Sequence, residues 1–118
     1  MSRTTVIAFA TSLLTLTGGQ ALAHAHLVAS FPAANATTAS PKTIVLHFSE
    51  APMAKFSGVT VSTATGTMVA TAPRPAAGTK TIAVTPKVIL KPGAYTVKWH
   101  AVTADTHRSQ GAFLFSVK

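Results

Sequence analysis

After residue 24, hydrophobic and polar residues alternate in short runs, and no stretch keeps a helical period for three turns. Alternation at period two puts successive side chains on opposite faces of a strand. Residues 43–49 read TIVLHFS, with Ile44, Leu46 and Phe48 on one face and Val45, His47 and Ser49 on the other. Around Trp99 the pattern is stronger. Tyr95, Val97, Trp99 and Ala101 share one face, while Thr96, Lys98 and His100 share the other. Such a strand buries one face and shows the other to water. Phe113 and Phe115 repeat the pattern near the C-terminus. Further strands are predicted over His26–Phe31, Gly58–Thr63, Thr67–Thr71, Lys80–Thr85, Ala94–Val102 and Ala112–Val117. Turn residues separate them: Pro32-Ala33, Ser40-Pro41, Thr65-Gly66, Pro73 to Gly78 and Lys91-Pro92-Gly93. About seven short strands with regular turn signals predict an all-β, two-sheet Greek-key sandwich or barrel.

The first 23 residues break this pattern. Arg3 is followed by an apolar run from Val6 to Leu16, a Gly-Gly break, and Ala21-Leu22-Ala23. A basic start, a short apolar centre and an A-x-A end read as a secretory signal peptide over 1–23, cleaved after Ala23. The rival reading is a membrane anchor, but a bilayer span needs about 20 apolar residues and this run is much shorter. Export to the periplasm is expected, with one domain over 24–118. Cysteine is absent, although an oxidising compartment would permit disulfides. The domain must fold by packing alone, and it offers a metal no thiolate.

The net charge is +8. A basic balance can point to nucleic acid or lipid. Here the lysines are spread singly, at positions 42, 55, 80, 87, 91, 98 and 118, with no basic run and no basic amphipathic helix. That pattern argues against nucleic acid and assigns the charge to solubility.

The acidic residues are more informative because there are two, Glu50 and Asp105. Asp105 stands two positions before His107, within TADTHRSQG. On an extended segment that spacing puts both side chains on one face, and a slight turn would aim them at one point. A solvated surface pair is the plain reading; half of a metal site is the other. Cleavage after Ala23 would supply the second half. His24 would become the first residue, offering its α-amine and its imidazole to one ion. Three nitrogens and a carboxylate oxygen suit Cu(II), which favours tetragonal N,O coordination. His24-Ala25-His26 also allows a rival wrap through the amine, two deprotonated amides and His26. Beginning the first strand would engage those amides, which makes His26 the weaker ligand candidate. By strand alternation His47 and His100 fall on polar faces.

Taken in order, HAHLVASFPAANA, IVLHFSE, FSG, and LKPGAYTVKWHAVTADTH followed by FLFSVK resemble the CopC family of exported copper-binding, copper-resistance proteins. The resemblance covers essentially the whole of residues 24–118. It implies a β-barrel of immunoglobulin-like (cupredoxin-like) topology and one Cu(II) per chain, held by His24, Asp105 and His107. It also implies a monomer without enzymatic activity, with an inner-membrane copper transporter of the CopD type as a partner. Glu50, in the family-like FSE segment, would either hydrogen-bond an imidazole of the site or stand as a solvated strand end. Two departures stand out. Some members hold Cu(I) with a methionine-rich loop; this chain has only Met53 and Met68 after the leader. Where the family often has Pro after the D-T-H histidine, this chain has Arg108.

The leading expectation is a periplasmic Cu(II) carrier or scavenger. A copper monooxygenase using an N-terminal histidine brace is one alternative. Asp105 would fill the position that oxygen needs, and no row of exposed aromatics is visible. A metal-free immunoglobulin-like module is the other.

Overall fold

The computed structural model describes residues 25–74 and 78–118. The expected signal peptide and His24 lie outside the described residues. Among the described residues nine strands form two sheets. β1 (Leu27–Phe31), β3 (Ile44–Phe48), β7 (Thr81–Pro86) and β6 (Thr71–Arg74) make a four-stranded sheet in the order β1-β3-β7-β6. The five-stranded sheet has the order β2-β9-β8-β4-β5, built from β2 (Thr37–Thr38), β9 (Arg108–Val117), β8 (Gly93–Val102), β4 (Gly58–Thr63) and β5 (Met68–Val69). The fold is the expected all-β sandwich, with nine strands where seven were expected.

Each difference has a local cause. The expected strand over Thr67–Thr71 is two strands on different sheets, because the chain crosses the sandwich at Ala70. β5 pairs with β4, and β6 pairs with β7. Pro73, read as a turn residue, lies in β6, an edge strand, where a missing N–H breaks no ladder. β2 is two residues long and runs parallel to β9, too short to show a period. The last strand begins at Arg108 rather than Ala112, so the connection carrying Asp105 and His107 is tight.

The faces predicted to be apolar meet between the sheets. Ile44, Leu46 and Phe48 of β3 are buried, as are Tyr95, Val97, Trp99 and Ala101 of β8 and Phe113, Phe115 and Val117 of β9. Trp99 meets Phe48 edge-on with ring centroids 5.2 Å apart, and Tyr95 stacks on Phe115 at 5.5 Å. Such pairs contribute about 0.5–1.5 kcal/mol beyond their buried area. Gly111, opposite Trp99 in the ladder, makes room for the indole. A Cβ there would lie 2.7 Å from Trp99 Cζ2. This packing fixes β8 against β9, and so fixes the loop that joins them.

Candidate metal centre

Thr103 to His107 form the β8–β9 connection. Thr103 N–H donates to the His107 carbonyl at 3.0 Å, and Thr106 N–H donates to the Thr103 carbonyl at 2.9 Å. The turn needs Thr106 in the left-handed region, with φ of 68°. A β-branched residue is a genuine outlier there, and strain of this kind persists only where its surroundings over-determine it. The surroundings here are hydrogen bonds. Thr106 Oγ1 donates to the Asp105 carbonyl at 2.6 Å, and the buried Thr103 hydroxyl donates to Asp105 Oδ1.

The turn aims both side chains at one point. Asp105 Oδ2 lies 2.7 Å from His107 Nδ1, and the His107 N–H donates to Asp105 Oδ1 at 3.4 Å. Hydrogen bonds lower the Asp105 pKa from 3.8 to about 2, the Thr103 hydroxyl most and the His107 ring next. Asp105 is therefore an anion at any physiological pH. The His107 side chain is 57% exposed and that of Asp105 40%, so an ion can reach them from solvent.

A second element ends beside this loop. Ala25 is completely buried, and its carbonyl accepts from Ser109 Oγ at 2.6 Å. Ser109 is two residues beyond His107. The next residue, His26, donates its amide N–H to Ser49 Oγ at 2.9 Å and accepts from the Ser49 amide at 2.8 Å. The start of the described chain is thus tied to β9 on one side and to the end of β3 on the other. Sequence reasoning missed Thr103, Ser49 and Ser109. Their only signal was being hydroxyl residues at strand ends, in a chain rich in them.

Glu50 is exposed and lines a shallow depression with Ala51, Thr103, Ala104 and Asp105. Both carboxylates of the protein therefore share one hollow. No bond from Glu50 to an imidazole is present among the described residues. His47 is exposed on β3 beside Thr81 Oγ1 at 3.1 Å. His100 is half-buried, its ring lying over Gly58. Among the described residues no three His, Cys, Asp or Glu side chains gather at one point. Asp105 and His107 are a pair that needs another donor.

The sequence and the fold have parallels in known proteins. The model of the CopC domain matches residues 27–118. The chain belongs to the CopC family. Protein YobA of Escherichia coli K12 is 43% identical over 99 residues, covering 81% of this chain and 80% of that protein. Copper resistance protein C of Escherichia coli is 38% identical over 119 residues, covering 87% and 94%. The crystal structure of PcoC, a methionine-rich copper resistance protein from Escherichia coli, superimposes with a TM-score of 0.76 at 36% identity, covering 80% and 99%.

This CopC-family chain is not methionine-rich, and its fold separates the methionines it has. The Met53 amide donates to the Val102 carbonyl at one end of β8. Met68 pairs with Ser62, which pairs with Thr96. Those levels are six residue steps apart along β8, about 20 Å at 3.3 Å per residue. The two thioethers cannot bind one ion.

Proposed function

We propose that this protein binds copper as a member of the copper-resistance class, and that its role is binding rather than catalysis. The oxygenase and metal-free alternatives fall with the family assignment. In finer detail, the reading is a periplasmic carrier of one Cu(II) per monomer. The leader is cleaved after Ala23, and the new terminus supplies the α-amine and imidazole of His24. His107 supplies a ring nitrogen and Asp105 a carboxylate oxygen, the ion taking the place of the hydrogen bond between them. A transporter of the CopD type in the inner membrane receives the metal.

The observation that carries this reading is the Asp105–His107 pair, held at 2.7 Å by the Thr103–Thr106 turn. The tie between Ser109 and Ala25 supports it, since one peptide link from Ala25 reaches residue 24, and consecutive Cα atoms are about 3.8 Å apart. The donor set fits the oxidised ion: imidazole, amine and carboxylate are harder than thiolate or thioether. The rival wrap through amide nitrogens is disfavoured because the His26 N–H is already committed to Ser49. The exposed His26 imidazole remains available as an additional nitrogen. Glu50 adds negative charge across the hollow.

The test uses the amine. The chain matured in the periplasm is compared with one carrying a single additional residue before His24, by competition with a Cu(II) chelator and by electron paramagnetic resonance. The matured chain should bind much more tightly, with a signal typical of nitrogen and oxygen donors. Equal affinity and equal spectra would sink the histidine brace.

A further inference from the structure

Charge is distributed unevenly from end to end of this sandwich. β8 runs ten residues from Gly93 to Val102, about 30 Å at 3.3 Å per residue. Glu50 and Asp105, the protein's two acids, lie together at the Val102 end. The Gly93 end carries Lys42, Lys87, Lys91 and Lys118. Lys42 and Lys87 line one shallow groove with Val88 and Ile89. Lys91 is two residues before Gly93, and Lys118 follows Val117, the partner of Gly93. No carboxylate side chain offsets these four ammonium groups at their own end.

At the centre of this basic pole are two aliphatic residues in water. Val88 is 60% exposed and Ile89 86%. They are not on a frayed segment. The Lys87 amide donates to the Ala70 carbonyl at 2.8 Å. Leu90 is buried, with its amide bonded to Ser40 Oγ at 3.0 Å. The Lys91 carbonyl accepts from the Tyr95 hydroxyl at 2.7 Å. The loop is fastened on both sides of the Val-Ile pair, which is held outward.

We propose that this pole docks on the surface of an anionic phospholipid bilayer. Val88 and Ile89 enter the boundary between headgroups and acyl chains, and the lysines meet lipid phosphates. The chemistry favours lipid over protein. Two aliphatic tips give far less than the roughly 800 Å² per partner of a standard protein interface. Protein interfaces are also depleted of lysine. A lipid surface takes both features. Lysine stems lie along apolar surface while their ammonium groups stay in water. An apolar anchor with a basic patch supplies the two signals that stable peripheral attachment needs. In this orientation the end bearing Asp105 and His107 stands off the bilayer and loads copper from solution, and delivery to a membrane transporter follows release from the lipid.

The experiment uses protein purified from periplasmic extract, sedimented with vesicles of phosphatidylglycerol and phosphatidylcholine or of phosphatidylcholine alone. Binding is expected on the anionic vesicles only and should weaken with salt. Lys87→Ser and Lys91→Ser should each lose about fivefold, and the Val88→Ser, Ile89→Ser double variant about tenfold or more. The protein has no cysteine, so Ile89→Cys accepts a single polarity-sensitive dye. Its emission should shift to the blue on anionic vesicles, while the same dye on Ala54→Cys, at the far end, should not. Failure to sediment with anionic vesicles at low salt overturns the proposal, as does equal binding to phosphatidylcholine, wild-type binding by the double variant, or a shift at position 54 instead of 89. Cu(II) uptake measured on the same variants should be unchanged, so loss of lipid docking is distinguishable from loss of the copper site.

Discussion

Replacing Ser109 by Ala tests whether tying down the start of the chain matters to copper. The Ser109 hydroxyl donates to the Ala25 carbonyl at 2.6 Å, and Ala25 is wholly buried. Deleting the hydroxyl leaves a buried acceptor unpaired, which costs about 1–3 kcal/mol if the segment stays in place. The segment has a cheaper response. It can lift away and hydrate, because its remaining backbone ties here are the two His26–Ser49 bonds. Local opening of this kind exposes Ala25 but leaves the rest of the core packed. If copper is held by a residue one peptide away, binding must then re-form the docked segment. A penalty of about 1–2 kcal/mol raises Kd about 5- to 30-fold. Chelator competition reads Kd, and hydrogen exchange at the His26 and Leu27 amides reads docking. Ser109→Thr keeps a hydroxyl and should behave nearly as wild type, and Thr60→Ala, on an exposed face of β4, is a neutral control. Faster exchange with an unchanged Kd would refute the coupling. Unchanged exchange would show that the hydrogen bond does not hold the segment.

Four further variants test the geometry. Gly111→Ala drives a methyl into the Trp99 ring at 2.7 Å and should destabilise the fold by about 1–3 kcal/mol, visible as a fall in Tm of about 4–8 °C per kcal/mol for a domain of this size. Gly58→Ala meets the edge of the His100 ring, which can swing aside, and should be milder. Thr103→Val removes the largest cause of the depressed Asp105 pKa, so that pKa should rise from about 2 toward 3.8 in an NMR titration of the metal-free protein. Because the folded value lies below the unfolded one, ionised Asp105 stabilises the fold above pH 3.8, and this contribution is lost as pH falls toward 2; the variant should therefore unfold at a higher pH than wild type. Met53→Leu combined with Met68→Leu should leave Cu(II) affinity within about twofold in chelator competition, since thioethers are soft donors unsuited to this ion.

The parts of this protein that were legible in its sequence are those where burial enforces a period. β3 and β8 each bury one face, so a shift of one residue would send Leu46 or Trp99 into water; the alternation had to be clean, and it was. Where the chain changes sheets no such rule operates. Thr67–Thr71 reads as one strand because nothing in its side chains marks the crossing at Ala70. The Asp105–His107 pair was visible as a spacing but not as a shape. Gly or Asn usually signals a left-handed residue, and here the residue is Thr106, held by the hydroxyls of Thr103 and Thr106 within the turn itself, which nothing distinguishes in sequence from the chain's many other threonines.

Electrostatics supply the reason why two acids suffice. A protein of net charge +8 repels a divalent cation at long range, but at physiological ionic strength the screening length is about 8 Å. Beyond that distance the lysines at the far pole, about 30 Å away along β8, contribute little to the field at the hollow. Close to the surface the ion meets Asp105, kept ionised by Thr103 and His107, with Glu50 across the same depression. Arg108 begins β9 beside the same loop, so the field at the hollow is set by the two acids against the cations of this end, not by the lysines of the far pole. The position of these two carboxylates, rather than the overall charge of the chain, is what makes this end attractive to a cation.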